Sequence, residues 1–292
     1  MLRVLVIGVL SGSTYGLLAL GIVLVYRGSG VLNFAQAELG TVGLFGAYWL
    51  TVEHSMPYWV GALAAVALAM ALGVLFEWLV VRRMIDGSRL AVAVGSVGLL
   101  LFLAALELEL FSGSPRIPKA PLAGRGFSLA GVVVSRTQVL SLVVVVIVGV
   151  ALALLLRRTD FGLGVLAAAD DPVAVRLVGV KLWQVSAFTW GLGAALAALA
   201  ALLISPTVGS FTPGLFAGEI FVKALAAALI GGLVSLSGAF VGGVAVGLIE
   251  AGALELFGES ALPGVEILSV FVAIVLVLVL RPQGLLGGRA AT

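Results

Sequence analysis

The 292-residue sequence has no cysteine, one histidine, and only 16 Lys/Arg with 14 Asp/Glu, so 10% of it is charged against about 25% in ordinary soluble domains. Each scarcity excludes something. Without cysteine there is no disulfide scaffold, no thiolate metal site and no cysteine nucleophile, and His54 alone cannot supply a His-rich metal site. No basic stretch interleaved with aromatics offers a nucleic-acid surface. No GxSxG elbow, no GxxxxGK[ST] phosphate loop and no pair of intramembrane aspartates occurs, so neither hydrolytic chemistry nor ATP hydrolysis is assigned to this chain. No catalytic residue, metal ligand or bound cofactor is expected.

What is abundant is apolar surface, at 62% of residues against about 45–50%. At roughly 20 apolar residues per crossing, eight or nine spans consume about 160–180 residues and leave about 110 for loops. The expected fold is all-α: a polytopic membrane helix bundle forming one transmembrane domain over 1–292. Candidate spans lie at about 4–25, 34–52, 58–81, 90–111, 139–156, 185–204, 214–231, 239–256 and 262–280. The uncharged part of the second, Leu39–Val52, is short. It is either re-entrant or the end of a span that begins near Asn33 and encloses Glu38, which leaves eight and nine crossings both open. The first stretch is too long for a signal-peptide core of about 7–15 residues and reads as an uncleaved span. The run Val143–Val146 has strand propensity, but a lone strand cannot satisfy its backbone in lipid, so a helix is expected there.

Charge placement orients the bundle. With nine spans, Arg27, Arg82, Arg83, Arg89, Arg157, Arg158, Arg176, Lys181, Arg281 and Arg289 fall on one side. Arg3, Arg116, Lys119, Arg125 and Arg136 fall on the other, and Lys223 lies within a span. Cytoplasmic loops collect Lys and Arg, so the C-terminus is expected in the cytoplasm.

Two loops exceed a tight connection. The external one, 112–137, holds Pro115, Pro118 and Pro121 and then an alternating stretch, Phe127–Val134, suited to a short hairpin. The cytoplasmic one, 157–182, carries Leu/Ala-rich segments on either side of Asp170-Asp171-Pro172. That pattern reads as two short helices, with Asp171 capping the second and Pro172 at its first position.

Within the spans, Gly8, Gly12 and Gly16 recur every four residues, as do Gly238 with Gly242 and Gly243 with Gly247. Such faces let helix backbones approach closely, and they also suit helices that tilt during a transport cycle. Ionisable residues at membrane depth cost about 2.5–3.5 kcal/mol on insertion scales and each needs a reason. Asn33, Gln36 and Glu38 cluster at the start of the second stretch, either bonding a broken helix to its neighbours or lining a path. Glu107 sits deep enough to face a cavity, whereas Glu109, Glu77 and Trp78 suit the interface. Glu219 and Lys223 are spaced for an i,i+4 pair with the acid first, and Glu250 faces the bundle interior. Ion pairing and a role in the path or its gating are both open for these three.

These motifs together resemble the permease subunits of ATP-binding-cassette importers for branched-chain amino acids, in particular the shorter, LivH-like member of the permease pair. The resemblance rests on Leu24-Val25-Tyr26 with Leu32–Glu38 and Gly46-Ala47-Tyr48, and on Phe161-Gly162 through Asp170-Asp171-Pro172 to Arg176 and Gly179-Val180. It continues through Gly191–Leu203, Lys223-Ala224 with Gly231-Gly232, Gly238–Glu250 and the terminal Leu280–Gly287. Gln36 and Ala37 stand where His and Gly are usual, and Leu166 stands where the loop often carries Arg. The family order covers nearly the whole chain.

The resemblance implies a multi-pass subunit of a prokaryotic inner membrane, paired with a second, LivM-like permease and two ATP-binding subunits that use ATP and Mg. It also implies delivery of substrate by an extracytoplasmic binding protein. Asp170, Asp171, Pro172, Ala174, Arg176 and Gly179 are then expected to form the element that docks on the ATPases. The expected cargo is a branched-chain or related amino acid, with urea or short amides the alternative inside the family. An ion-coupled secondary transporter, using Glu38, Glu107, Glu219 or Glu250, and a non-transporting membrane scaffold are the readings outside it.

Overall fold

The computed structural model describes residues 1–84, 88–122, 126–129, 132–258 and 264–287. Six helices are long and apolar enough to cross a membrane among these residues. They are α1 (Leu2–Ser29), α3 (Tyr58–Phe76) continued through a π-helical turn into α4 (Arg82–Met84), α5 (Arg89–Phe111), α6 (Arg136–Arg158), α9 (Leu182–Val208) and α11 (Leu236–Phe257). Between them lie shorter elements: α2 (Gln36–Tyr48), the pair α7 (Asp160–Asp170) and α8 (Pro172–Leu177), α10 (Phe221–Gly231) and α12 (Val265–Leu280). A two-stranded antiparallel hairpin, β1 (Phe127–Leu129) and β2 (Val132–Val134), decorates one end.

α1 and α9 form the centre: in their most apolar windows 72% and 78% of the residues are buried, against 22% in α5 and in α6, which face outward. Lipid supplies no hydrophobic drive between helices, so the centre depends on close backbone approach. A Cβ on Gly12 would lie 2.6 Å from the Gly243 carbonyl oxygen, and one on Gly8 would lie 2.8 Å from the Leu248 Cα. From the other side, Gly243 and Gly247 abut the backbone of Gly16, Gly12 and Gly8, while Gly238 and Gly242 abut Gly231 and Ala227 of α10. The two glycine ladders thus seat α11 against α1 on one side and α10 on the other. Gly73 of α3 meets the Trp190 carbonyl of α9 in the same manner, at 2.6 Å from a built Cβ.

The ends of the elements sort onto two faces. On one face the end of α1, the start of α5, α7, α8, the start of α9 and the α10–α11 turn surround a cleft of about 310 Å³ whose lining includes Arg27, Arg89 and Arg176. The C-terminal segment returns to this face, where Leu285 and Leu286 donate to the Ile230 and Gly231 carbonyls at 2.7 and 3.1 Å. On the opposite face Arg116 and Phe211 exchange backbone hydrogen bonds of 2.9 Å, and Lys119 donates to the Met56 carbonyl. Arg125 and Arg289 lie outside the described residues.

Of the three residues expected at the interface, Glu109 and Trp78 are exposed and Glu77 departs. Trp78 is half exposed, as an anchor should be, but Glu77 is fully buried and pairs with Arg82 at 3.5 Å. The π-helical turn Glu77–Val81 accounts for this correction, because it turns Glu77 inward while leaving Trp78 outside. Glu107 is buried.

Candidate translocation core and coupling element

Two helices begin inside the bundle rather than at its faces. After α1 ends on the arginine-rich face, residues 30–35 turn back inward, and α2 starts at Gln36, whose side-chain Nε2 donates to the Gly193 carbonyl at 2.6 Å. Gly193 lies eleven residues into α9, roughly 16 Å from its start at 1.5 Å per residue. The re-entry is held by amides. Asn33 accepts from the Ala35 N–H at 3.0 Å and donates to Gln36 Oε1 at 3.0 Å, while the Phe34 N–H donates to Ser96 Oγ at 3.1 Å. Irregular backbone at membrane depth is tolerated only when such partners replace the helix ladder. Asn33 and Gln36 are therefore tied up in holding the break.

From the opposite face, 209–215 leads into a π-helical turn (Phe216–Ile220) and then α10. Gly218 departs from helical geometry at φ −82° and ψ −108°, which kinks the entry. The re-entrant turn before α2 meets the start of α10, with the Phe34 and Phe221 rings 6.2 Å apart. Discontinuous helices that meet within a bundle are where membrane transporters place polar groups in the path.

Two polar clusters flank this junction. In the first, Glu38 and Glu107 are both buried, face each other and the backbone of Gly214, and join no ion pair among the described residues. Thr41 Oγ1 donates to Glu38 Oε2 at 3.3 Å; Glu38 Oε1 and both Glu107 oxygens find no hydrogen bond of good geometry among the described residues. In the second, the Lys223 ammonium donates to Glu219, one helical turn before it, and to Glu250 Oε1 at 2.6 Å. It also lies 5.6 Å from the Tyr15 ring centroid. This cluster joins α1, α10 and α11 and carries one more carboxylate than cation. Lys223 is buried, whereas Glu219 is 47% exposed and brings the cluster to accessible space.

The arginine-rich face bears α7 and α8. Thr159 caps α7 by accepting from the Gly162 N–H at 3.0 Å, and Val165 and Ala168 bury α7 against the bundle. Asp171 caps α8, accepting from the Val173 and Ala174 N–H groups at 2.9 Å each. Pro172 occupies the first turn of α8; the side chains of Asp170 and Pro172 lie outside the described residues. Gly179 ends the element at φ +87°, a left-handed conformation that suits glycine. Ala174 and Arg176 are exposed, and Val175 anchors α8 inward. Three residues not singled out in the sequence complete the surface: Val173, Leu177 and Val178 are 69%, 85% and 78% exposed. Their signal is the i,i+4 spacing of Val173 and Leu177 on a helix outside the apolar spans.

Long apolar helices around two discontinuous ones, with a capped helical pair on a basic face, define a polytopic membrane transport protein. The sequence profile of the family described as "Branched-chain amino acid transport system / permease component" matches residues 4–280, and the chain belongs to that family. It is 34% identical to the high-affinity branched-chain amino acid transport system permease protein BraD of Pseudomonas aeruginosa, covering 98% of this chain and 95% of that one. It is 30% identical to the corresponding permease protein LivH of Escherichia coli, over 96% and 93%. Among solved structures, PsaBC from Streptococcus pneumoniae in complex with Fab shares the fold at a TM-score of 0.54 and 14% identity, covering 96% of this chain and 93% of that one.

Proposed function

We propose that the chain is the membrane-spanning subunit of an ATP-binding-cassette importer that carries branched-chain or related amino acids inward across a prokaryotic inner membrane. A second permease, two ATP-binding subunits and an extracytoplasmic binding protein complete the assembly, and ATP with Mg is consumed in the ATP-binding subunits. The arginine-rich face, C-terminus included, is the cytoplasmic one, following the excess of Lys and Arg there. The observation that carries this reading is α8: a short capped helix presenting Val173, Leu177 and Val178 outward, with a bundle-anchored α7 behind it. Exposed apolar side chains on a small helix outside the apolar spans ask for a protein partner.

In this reading Asp170, Asp171, Pro172, Ala174, Arg176 and Gly179 shape the docking helix, and the apolar trio enters a groove on an ATPase. Closure of the ATPases pushes α7 and α8, and through them α6 and α9, between outward and inward arrangements. The path runs past the junction of α2 and α10, where Glu38, Glu107, Glu219, Lys223 and Glu250 present their polar groups and Asn33 and Gln36 hold the break open. The glycine ladders let α1, α10 and α11 shift against one another. Replacing Val173 and Leu177 together by Asp in the assembled transporter is expected to abolish substrate-stimulated ATP hydrolysis while membrane insertion is retained. Unaltered stimulation would overturn the assignment.

The buried pair Glu38 and Glu107, in no ion pair among the described residues, supports a second reading as an ion-coupled carrier. That reading requires ion-driven uptake by this chain alone in liposomes.

A further inference from the structure

A cavity of about 610 Å³ lies between α6 and α11, backed by α1. Its wall on α6 runs from Val145 to Leu156, eleven residues or roughly 16 Å. That is the depth of one leaflet of a hydrocarbon core about 30 Å thick. Val146, Val150 and Val241 line it from exposed positions, so it opens toward the surroundings of the bundle. Its width comes from a missing side chain: a Cβ built on Gly149 meets no atom within 4 Å. Polarity is confined to one end, where Arg157 and Arg27 stand with Ser235 and Ser237 at the start of α11. Arg157 and Ser237 are exposed there.

An apolar slot one leaflet deep, with Arg157 exposed at its mouth, has the chemistry of a single phospholipid: one acyl chain in the slot and an anionic headgroup at the Arg157 guanidinium. We propose that this groove between α6 and α11 is a binding site for one anionic phospholipid, with the exposed Arg157 at the headgroup and Gly149 leaving room for the chain. Charge complementarity selects this occupant. A second polypeptide packed here would need a carboxylate at the arginine end and a side chain long enough to fill the void over Gly149, whereas a free phosphate uses the arginine and leaves the slot empty. Leu166 of α7 closes the groove's side, so the lipid also touches the helix that carries α8.

The test is lipid retention by the full chain, purified with the subunits that accompany it, read by native mass spectrometry during titration with phosphatidylglycerol or phosphatidylcholine of equal chain length. Phosphatidylglycerol is expected to bind more tightly, by about fivefold. Arg157→Gln is expected to remove about fivefold of that preference, weakening phosphatidylcholine, whose phosphate is offset by its own choline cation, much less. Gly149→Leu is expected to reduce retention of both lipids by filling the slot. Equal binding of the two lipids overturns the proposal, and so does unchanged retention in both variants. Cross-linking of Val146→Cys to the second permease in quantitative yield overturns it as well, because the groove is then a subunit interface.

Discussion

Lys223 Nζ lies 2.6 Å from Glu250 Oε1 across a sequence separation of 27 residues, and the bond fastens α10 to α11 beside the kink at Gly218. Neither residue contains in its local pattern any sign of the other. Lys223→Met leaves the Glu250 carboxylate without its cation, and breaking a buried pair from one side costs about 3 kcal/mol. The expected result is a loss of that size in detergent unfolding of the full chain. Adding Glu250→Gln to Lys223→Met is expected to return a large part of it. Additive losses in the double variant would show that the two side chains do not interact.

The contact of α1 with α11 makes a steric prediction. Gly12→Val places methyl groups where the Gly243 carbonyl oxygen already stands, and overpacking of this kind costs about 3 kcal/mol. Gly98→Ala within α5, where a built Cβ meets nothing within 4 Å, is expected to cost nothing and to stabilise by up to about 1 kcal/mol. Unfolding in increasing sodium dodecyl sulfate compares the two directly.

Asp171 holds the start of α8 through two backbone hydrogen bonds, and loss of such a cap costs about 1 kcal/mol. Asp171→Ala is expected to speed hydrogen exchange at Val173 and Ala174 by about fivefold, with exchange in α9 unchanged. Exchange rates equal to those of the parent would remove the cap from the account of this element.

Gln36 connects the re-entrant turn to α9. Gln36→Leu leaves the Gly193 carbonyl and the Asn33 amide without this partner, at a cost of about 2 kcal/mol in a buried setting. Destabilisation is expected with helix content unchanged by circular dichroism, since α2 still has its apolar contacts.

The parts legible in the sequence were those with local periodicity or punctuation. Long apolar runs announce helices; Gly8, Gly12 and Gly16 announce a close-packed face; Asp171-Pro172 announces a capped break between α7 and α8. What escaped was long-range. That α2 begins inside the bundle depends on Gln36 reaching Gly193, 157 residues away, and the three-member cluster at Lys223 depends on Glu250 arriving from α11. Glu77 reads as interfacial in sequence yet is buried, because the π-helical turn that it begins is invisible to a 3.6-residue period. The outer surface of α8 is only half legible: charged and turn residues stand out, while Val173 and Leu177 resemble the apolar residues around them until the fold exposes them.

The absence of native cysteine makes the central claim directly measurable. Leu177→Cys, 85% exposed in the parent side chain, can be cross-linked in the assembled transporter without background from this chain. The expected product joins this chain to an ATP-binding subunit, and the Leu177→Cys thiol is protected from thiol reagents that cannot cross the membrane from outside. Labelling by such a reagent from outside, with no product to an ATP-binding subunit, would contradict it.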